Sequence, residues 1–155
     1  MSDLNRRQFV MAAGAAAAVC CGLAGCASGG GGEAVWTGPM TFELPAPQDL
    51  TKEGVDARWM PTGGFFLVRE RGRLFAISST CSHKACQINP NGSGYLCPCH
   101  GSRFTAEGKV LNGPATAALV RFGISVNAAG RVVVDRHLTF SESQWGEAGA
   151  FLAAS

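Results

Sequence analysis

Two short segments rich in cysteine and histidine constrain this chain more than any other feature. They read CSHKAC, from Cys81 to Cys86, and CPCHGS, from Cys97 to Ser102, and ten residues separate them. Together they hold four of the seven cysteines and two of the three histidines. A zinc site needs four such ligands, and six are available here. The two segments therefore predict a metal centre with two cysteines to spare.

The paired segments resemble the cluster-binding boxes of the Rieske family, C-x-H-x-x-C and C-x-C-H-G-S, and the resemblance covers residues 65–134. It implies one [2Fe-2S] cluster per chain, because a Rieske cluster has two thiolates on one iron and two imidazoles on the other. Replacing two thiolates by neutral histidines raises the reduction potential. Carried over by position, the implied ligands are Cys81 and Cys97 on one iron, and His83 and His100 on the other.

The resemblance also implies roles for residues that would not bind iron. In the high-potential branch of the family, the positions of Cys86 and Cys99 form a disulfide that joins the two loops, as suits an oxidising compartment. Ser102 stands where the family places a hydroxyl that donates a hydrogen bond to a cluster sulfur and raises the potential. Gly113 and Pro114 resemble the proline loop that covers the cluster. Ordinary turns are the alternative for these last three residues.

The chain departs from the quinol-oxidising members of the family in two places. Phe104 stands where those members have a tyrosine that donates a second hydrogen bond to a ligand sulfur, so we expect a lower potential here. Lys84 and Ala85 replace their usual Leu-Gly. A lysine beside the electron exit favours an acidic docking surface on a partner protein, unless it is simply a solvated loop residue.

Other kinds of site fit the same residues less well. A zinc ribbon would use four of the six groups and would explain neither the pairing of the boxes nor the spare cysteines. A thioredoxin-like redox site has two residues between its cysteines, whereas Pro98 alone separates Cys97 from Cys99. An oxygenase subunit needs a second, mononuclear iron domain, and His137 is the only histidine left for it. We identify no catalytic residue.

The first residues have the layout of an export signal, with a charged head and an apolar middle. Arg6 and Arg7, followed by QFV, resemble a twin-arginine signal, which exports folded proteins with their cofactor already inserted. The segment LAGC, ending at Cys26, resembles a lipobox whose cysteine carries lipid. An uncleaved membrane span is the alternative, because residues 9–25 carry no charge.

The remainder of the chain predicts an all-β fold, and the resemblance to the Rieske family implies stacked antiparallel sheets with a small cluster-binding subdomain of two loops. Glycine supplies 21 positions and charged residues only 15% of the chain, which favours turns over helices. Apolar runs at 65–68 and 74–77 predict a hairpin, and 109–111, 119–126 and 131–134 predict further strands. Residues 141–153, with Ser141 as a cap, suggest a short helix.

These features together predict four segments and a function. The segments are an export signal at 1–25, a flexible tether at 26–40, a Rieske domain at 41–136 and a C-terminal tail at 137–155. The function is transfer of single electrons by a protein anchored on the periplasmic side of a bacterial membrane. Its partners would be a quinol-oxidising complex and a cytochrome c or, alternatively, the large subunit of a periplasmic oxidase of the arsenite-oxidising type. The net charge of +2 gives no reason to expect nucleic acid.

Overall fold

The computed structural model describes residues 38–153, which fold into two antiparallel β-sheets. The helical elements within this range are one short helix, α1 (Met60–Gly63), and two 3-10 turns, Pro47–Asp49 and Glu142–Gln144. The all-β class predicted from the sequence is therefore confirmed. The strands are β1 (Thr41–Glu43), β2 (Gly54–Asp56), β3 (Phe65–Glu70), β4 (Arg73–Ser78), β5 (Asn89–Asn91), β6 (Gly94–Leu96), β7 (Arg103–Phe104), β8 (Val110–Asn112), β9 (Arg121–Val126), β10 (Val132–Phe140) and β11 (Leu152–Ala153).

The larger sheet is built around the hairpin of β3 and β4. Its strand order is β1-β10-β9-β4-β3-β2, and β11 pairs with β4. Arg71 and Gly72 connect β3 to β4 with φ angles of 51° and 70°, and a tight two-residue hairpin turn requires positive φ at both positions. The predicted hairpin is confirmed, and so are the predicted strands that became β9 and β10.

The β3–β4 hairpin is buried on both faces, which explains why its strands read as continuous apolar runs. One face carries Phe66 and Ile77 into a core shared with the smaller sheet. The opposite face carries Phe65 and Leu74 into a core closed by β9 and β10. The hairpin thus forms a common wall between two cores, and β4 leads directly from this wall into the first Cys/His segment.

The smaller sheet contains β5, β6, β7 and β8 in that order. Its strands are two or three residues long, and β5 has the sequence Asn-Pro-Asn with all three residues exposed. The sequence predicted only two loops for the region of β5, β6 and β7, whereas the apolar run at 109–111 did predict a strand, which is confirmed as β8. Tyr95 and Phe104 pair across β6 and β7 and pack into the core beneath the Cys/His segments.

The C-terminal residues differ from the prediction. The predicted helix is wrong beyond one 3-10 turn, which Ser141 does cap, because the chain then returns and β11 pairs with β4. Strand β10 also continues past the predicted domain boundary at residue 136. The guanidinium of Arg121 contacts two aromatic rings. It lies 4.3 Å from the ring centroid of Trp145, in the tail, and 3.7 Å from the ring centroid of Phe75, in β4. Burial lowers the pKa of Arg121 to about 10, so it remains a cation at neutral pH and links the tail to the sheet.

The predicted export signal, most of the tether and the lipobox cysteine Cys26 lie outside the described residues. Within residues 38–153, the structure contains no helix with the length and apolar character that crossing a membrane requires.

Candidate metal centre

Each Cys/His segment forms a loop whose base is closed by strand pairing. The first loop, residues 81–86, follows β4, and a bridge between Thr80 and Gln87 closes it. The second loop, residues 97–102, connects β6 to β7, and the pairing of Leu96 with Arg103 closes it. Both loops are therefore short excursions from a sheet, and their positions are fixed by the strands on either side.

The backbones of the two loops make the same pair of hydrogen bonds. In the first loop, Cys81 N donates to Cys86 O at 2.8 Å, and Ala85 N donates to Cys81 O at 3.0 Å. In the second, Cys97 N donates to Ser102 O at 2.8 Å, and Gly101 N donates to Cys97 O at 3.0 Å. The fifth residue has a positive φ in both loops, 51° in Ala85 and 77° in Gly101. The first cysteine of each loop is thus held inside an identical turn.

These first cysteines are free thiols at the base of the site. Cys81 and Cys97 are 3% and 1% exposed, and both belong to the core that the two sheets share. Burial raises the pKa of the Cys81 thiol, and the adjacent Cys97 sulfur raises it further. The backbone N–H groups of His83 and Lys84 act against this by donating hydrogen bonds to the Cys81 sulfur. Such N–H groups stabilise a thiolate, which is the form that binds metal.

The two histidines of the loops contact each other. The ring centroids of His83 and His100 lie 4.9 Å apart, with the ring planes at 89°. His100 is exposed, whereas His83 is partly buried and its Nδ1 has no hydrogen-bond partner among the described residues. A buried ring nitrogen without a protein partner is what a metal ligand presents. The structure thus brings the two candidate thiol ligands close to each other and the two candidate imidazole ligands close to each other.

The two remaining cysteines join the loops covalently. Cys86 and Cys99 form a disulfide with their Cα atoms 6.5 Å apart. The sulfurs of Cys86, Cys97 and Cys99 lie within 4.8 Å of one another, but the disulfide occupies two of the three and leaves Cys97 as the available donor. The donor set is consequently two thiols and two imidazoles, which fits an iron–sulfur cluster of the Rieske type.

A third loop, residues 113–118, is fastened to both Cys/His loops through serine hydroxyls. Ala115 N donates to Ser102 Oγ at 3.0 Å, and Ser82 Oγ donates to Ala117 O at 2.6 Å. Ser102 is fully buried. Gly113 and Pro114, joined by a cis peptide bond, are exposed in this loop. Sequence reasoning missed Ser82, because a loop serine carries no signal for a partner 35 residues away.

The two departures noted in the sequence have different surroundings. Phe104 is buried in the core and presents no hydroxyl. The tyrosine paired with it, Tyr95, stacks on Phe66 at 4.8 Å and donates its own hydroxyl to Ala106 O at 3.3 Å. Tyr95 therefore does not replace the missing donor. Lys84 is exposed on the first loop.

Comparison with known proteins gives a consistent result. The Rieske [2Fe-2S] domain profile matches residues 42–124. The cytochrome b6-f complex iron-sulfur subunit of Microcystis aeruginosa is 30% identical over 151 residues, which cover 84% of each chain. The chloroplastic cytochrome b6-f complex iron-sulfur subunit of Arabidopsis thaliana is 31% identical over 116 residues, which are 63% of this chain. This chain spans about half of that protein's length, 51%. The crystal structure of the plasma membrane Rieske protein PetC3 from Synechocystis PCC 6803 is 32% identical, with a TM-score of 0.47, over 61% of this chain and 98% of that one.

Proposed function

This chain belongs to the Rieske [2Fe-2S] family, and we propose that it uses Cys81, His83, Cys97 and His100 to hold the cluster of that family for single-electron transfer. When bound, a [2Fe-2S] cluster of this type accepts and donates one electron. The observation that carries the proposal is the convergence of two buried thiols and two imidazoles in loops that a disulfide joins.

The protein side chains protect and tune this centre. The shared core beneath Cys81 and Cys97 keeps water from the thiol side, whereas His100 is open to solvent. Electrons would therefore enter and leave on the histidine side. Ser102 accepts a hydrogen bond from Ala115 N and so has its O–H available for a ligand sulfur or a cluster sulfide. A donor of this kind stabilises the more negative, reduced state and raises the potential.

The ligand set is tested with the purified full-length chain and three variants. We expect the unmodified chain to contain about two irons and two sulfides and to give an EPR signal when reduced. C81S and H83A should lose the iron and sulfide and the EPR signal. H137A, which removes the exposed histidine outside the loops, should keep the iron and sulfide and the EPR signal. A silent spectrum with one zinc per chain would overturn the proposal.

The cellular role is proposed from the relatives and from the N-terminal residues. Relatives that cover this chain are named as subunits of the cytochrome b6-f complex, which supports a role in a quinol:cytochrome c reductase-like chain. The twin-arginine pattern supports export to the periplasmic side, and Cys26 supports a lipid anchor. Mass spectrometry of the N-terminal peptide tests this, because a lipidated Cys26 and an intact Met1 exclude each other.

A second candidate role is the small subunit of a periplasmic oxidase of the arsenite-oxidising type. The exposed Lys84 favours it, since quinol-oxidising members place leucine at this position against an apolar pocket. Purification of the tagged chain from membranes under mild conditions separates the two roles. Recovery of a molybdenum protein supports the oxidase, and recovery of a b-type cytochrome supports the quinol-oxidising complex.

A further inference from the structure

The three loops around the candidate ligands form one surface, termed here the loop tip and defined as residues 81–86, 97–102 and 113–118. Lys84 is the one charged residue in these segments. The other exposed residues of the three segments are uncharged or are the candidate ligand His100. They include Ser82, Pro98, Gly101, Pro114 and Thr116. Lys84 makes no ion pair with any residue between 38 and 153.

The sequence around the loop tip contains almost no negative charge. Between Arg71 and Val134 it has seven arginines and lysines and one acidic residue, Glu107. The Glu107 carboxylate lies 3.6 Å from Arg71, and its main-chain carbonyl accepts a hydrogen bond from Arg121. This acid is therefore committed to contacts inside the domain. The remaining acids of the described range lie in residues 38–70 and 135–153. Of these, Glu142 lines a groove with Thr116 and Ala117 of the loop tip, and its carboxylate lies 3.7 Å from the ammonium of Lys109, so it is paired with a cation.

From this charge distribution we propose that the loop tip docks on an acidic face of a redox partner protein, with Lys84 as the cation next to His83 and His100. The inference rests on the proposed electron-transfer function and names the chemistry of the partner. A single exposed ion pair adds little affinity, so Lys84 would act mainly on the association rate through electrostatic steering. Small uncharged neighbours permit close approach to the exposed imidazole edge of His100.

The chain offers a matched control for charge reversal at Lys84. Lys52 is exposed and precedes β2, where Gly54 pairs with Arg69 near the turn of the β3–β4 hairpin. The loop tip begins beyond the other end of that hairpin, after Ser78. K52E and K84E change the net charge equally, and only K84E changes it at the tip.

The experiment measures second-order electron transfer from the reduced full-length chain in detergent. The acceptors are mitochondrial cytochrome c, whose haem edge is rich in lysine, and a variant whose haem-edge lysines are replaced by glutamate. K84E should slow reduction of the glutamate variant about tenfold at low ionic strength, and by less than about twofold in 0.5 M salt. It should accelerate reduction of the lysine-rich protein, and K52E should change neither rate by more than about twofold.

The outcomes separate the docking proposal from the proposed function. Loss of the EPR signal in the unmodified chain would contradict the function itself. An intact signal with equal rates for the unmodified chain and K84E on both acceptors would overturn the docking proposal alone. A second result would also overturn the docking proposal. In it, the unmodified chain binds vesicles of anionic phospholipid, K84E does not, and the two acceptors are reduced at equal rates. Lys84 would then contact a membrane surface.

Discussion

The first loop, residues 81–86, and the second loop, residues 97–102, share a backbone turn but use their side chains differently. In each, the N–H of the first cysteine donates to the carbonyl of the sixth residue. That sixth residue is Cys86 in one loop and Ser102 in the other. Cys86 forms a covalent bond across to the second loop, whereas Ser102 contacts the third loop through its hydroxyl. Equivalent positions therefore provide a covalent bond between loops in one case and a hydrogen bond to the third loop in the other, where we propose that the Ser102 hydroxyl also tunes the cluster.

This difference teaches that one backbone turn can hold the first cysteine of a loop while the side chains at its other positions make different contacts. The turn presents the first cysteine of both loops in the same way, whatever the other side chains are. The side chains around it can then specialise, with the exposed Lys84 facing solvent in one loop and the candidate ligand His100 in the other. Substitutions at equivalent positions can test this division of roles.

The largest effect should come from removing the covalent bond between the loops. The double variant C86S/C99S should lose about 3 kcal/mol of unfolding free energy, as the chain-entropy estimate gives for a loop of this length. The free loops should also release the cluster faster. Thermal unfolding and the decay of visible absorbance measure the two effects. An unchanged melting temperature with full cluster retention would show that the shared turn is sufficient without the disulfide.

The serine at the equivalent position should affect the potential. S102A should lower the midpoint potential by about 60–130 mV, because a hydrogen bond to a charged group contributes about 1.5–3 kcal/mol and 59 mV corresponds to 1.4 kcal/mol for one electron. The matched control is S82A, which removes the other hydroxyl that fastens the third loop. S82A should reduce stability and leave the potential unchanged. Equal shifts in both variants would assign the effect to loop position instead of to hydrogen bonding.

The fifth position allows a reciprocal exchange. Open space surrounds the Cβ that an alanine would add at Gly101, so G101A should cost only the left-handed backbone term, about 1–2 kcal/mol. A85G should recover less than that, because glycine also gains freedom in the unfolded chain. Thermal unfolding of both variants provides the measurement. A stabilising G101A would show that the two turns are not equivalent.

The smallest effect is expected just past the second loop. F104Y adds a hydroxyl at a buried site beside the thiols, and one hydrogen bond worth about 1 kcal/mol to a ligand sulfur would raise the potential by about 40 mV. Redox titration followed by EPR measures the shift, and the melting temperature shows whether the hydroxyl is accommodated. If the fold is retained and the potential does not rise, Phe104 is not the position that lowers it.

The parts of the fold that could be predicted from the sequence are the buried strands that consist of short apolar runs. The β3–β4 hairpin was predictable because both of its faces are buried. Most of the smaller sheet was not, because very short strands such as the polar β5 are fixed by neighbouring strands and not by their own residues; β8 is the exception, since an apolar run predicted it. The prediction of a helix in the tail was wrong for a related reason. Ser141 does cap a turn, but Leu152 pairs with Leu74 of β4 instead of continuing a helix.

Prediction of the candidate site from the sequence has the same limit, because contacts between distant segments leave no pattern in either segment. Spacing and family resemblance singled out the residues of the two Cys/His loops, and the structure brings them together. The hydrogen bond from Ser82 to Ala117, which positions the third loop, has no signature in the sequence. Contacts between segments that are far apart in sequence require the fold itself.

Tyr95, the chain's one tyrosine, is stacked on Phe66 beneath the loops and provides an internal optical reporter. Burial raises its pKa well above the ordinary value of about 10. Well below pH 10 its ring is neutral in folded and unfolded chains alike. As the pH rises through about 10, the unfolded chain ionises while the folded chain stays neutral, so unfolding becomes progressively easier. Tyrosinate absorbance in an alkaline titration therefore follows the opening of the core under the metal centre, without background from any other tyrosine.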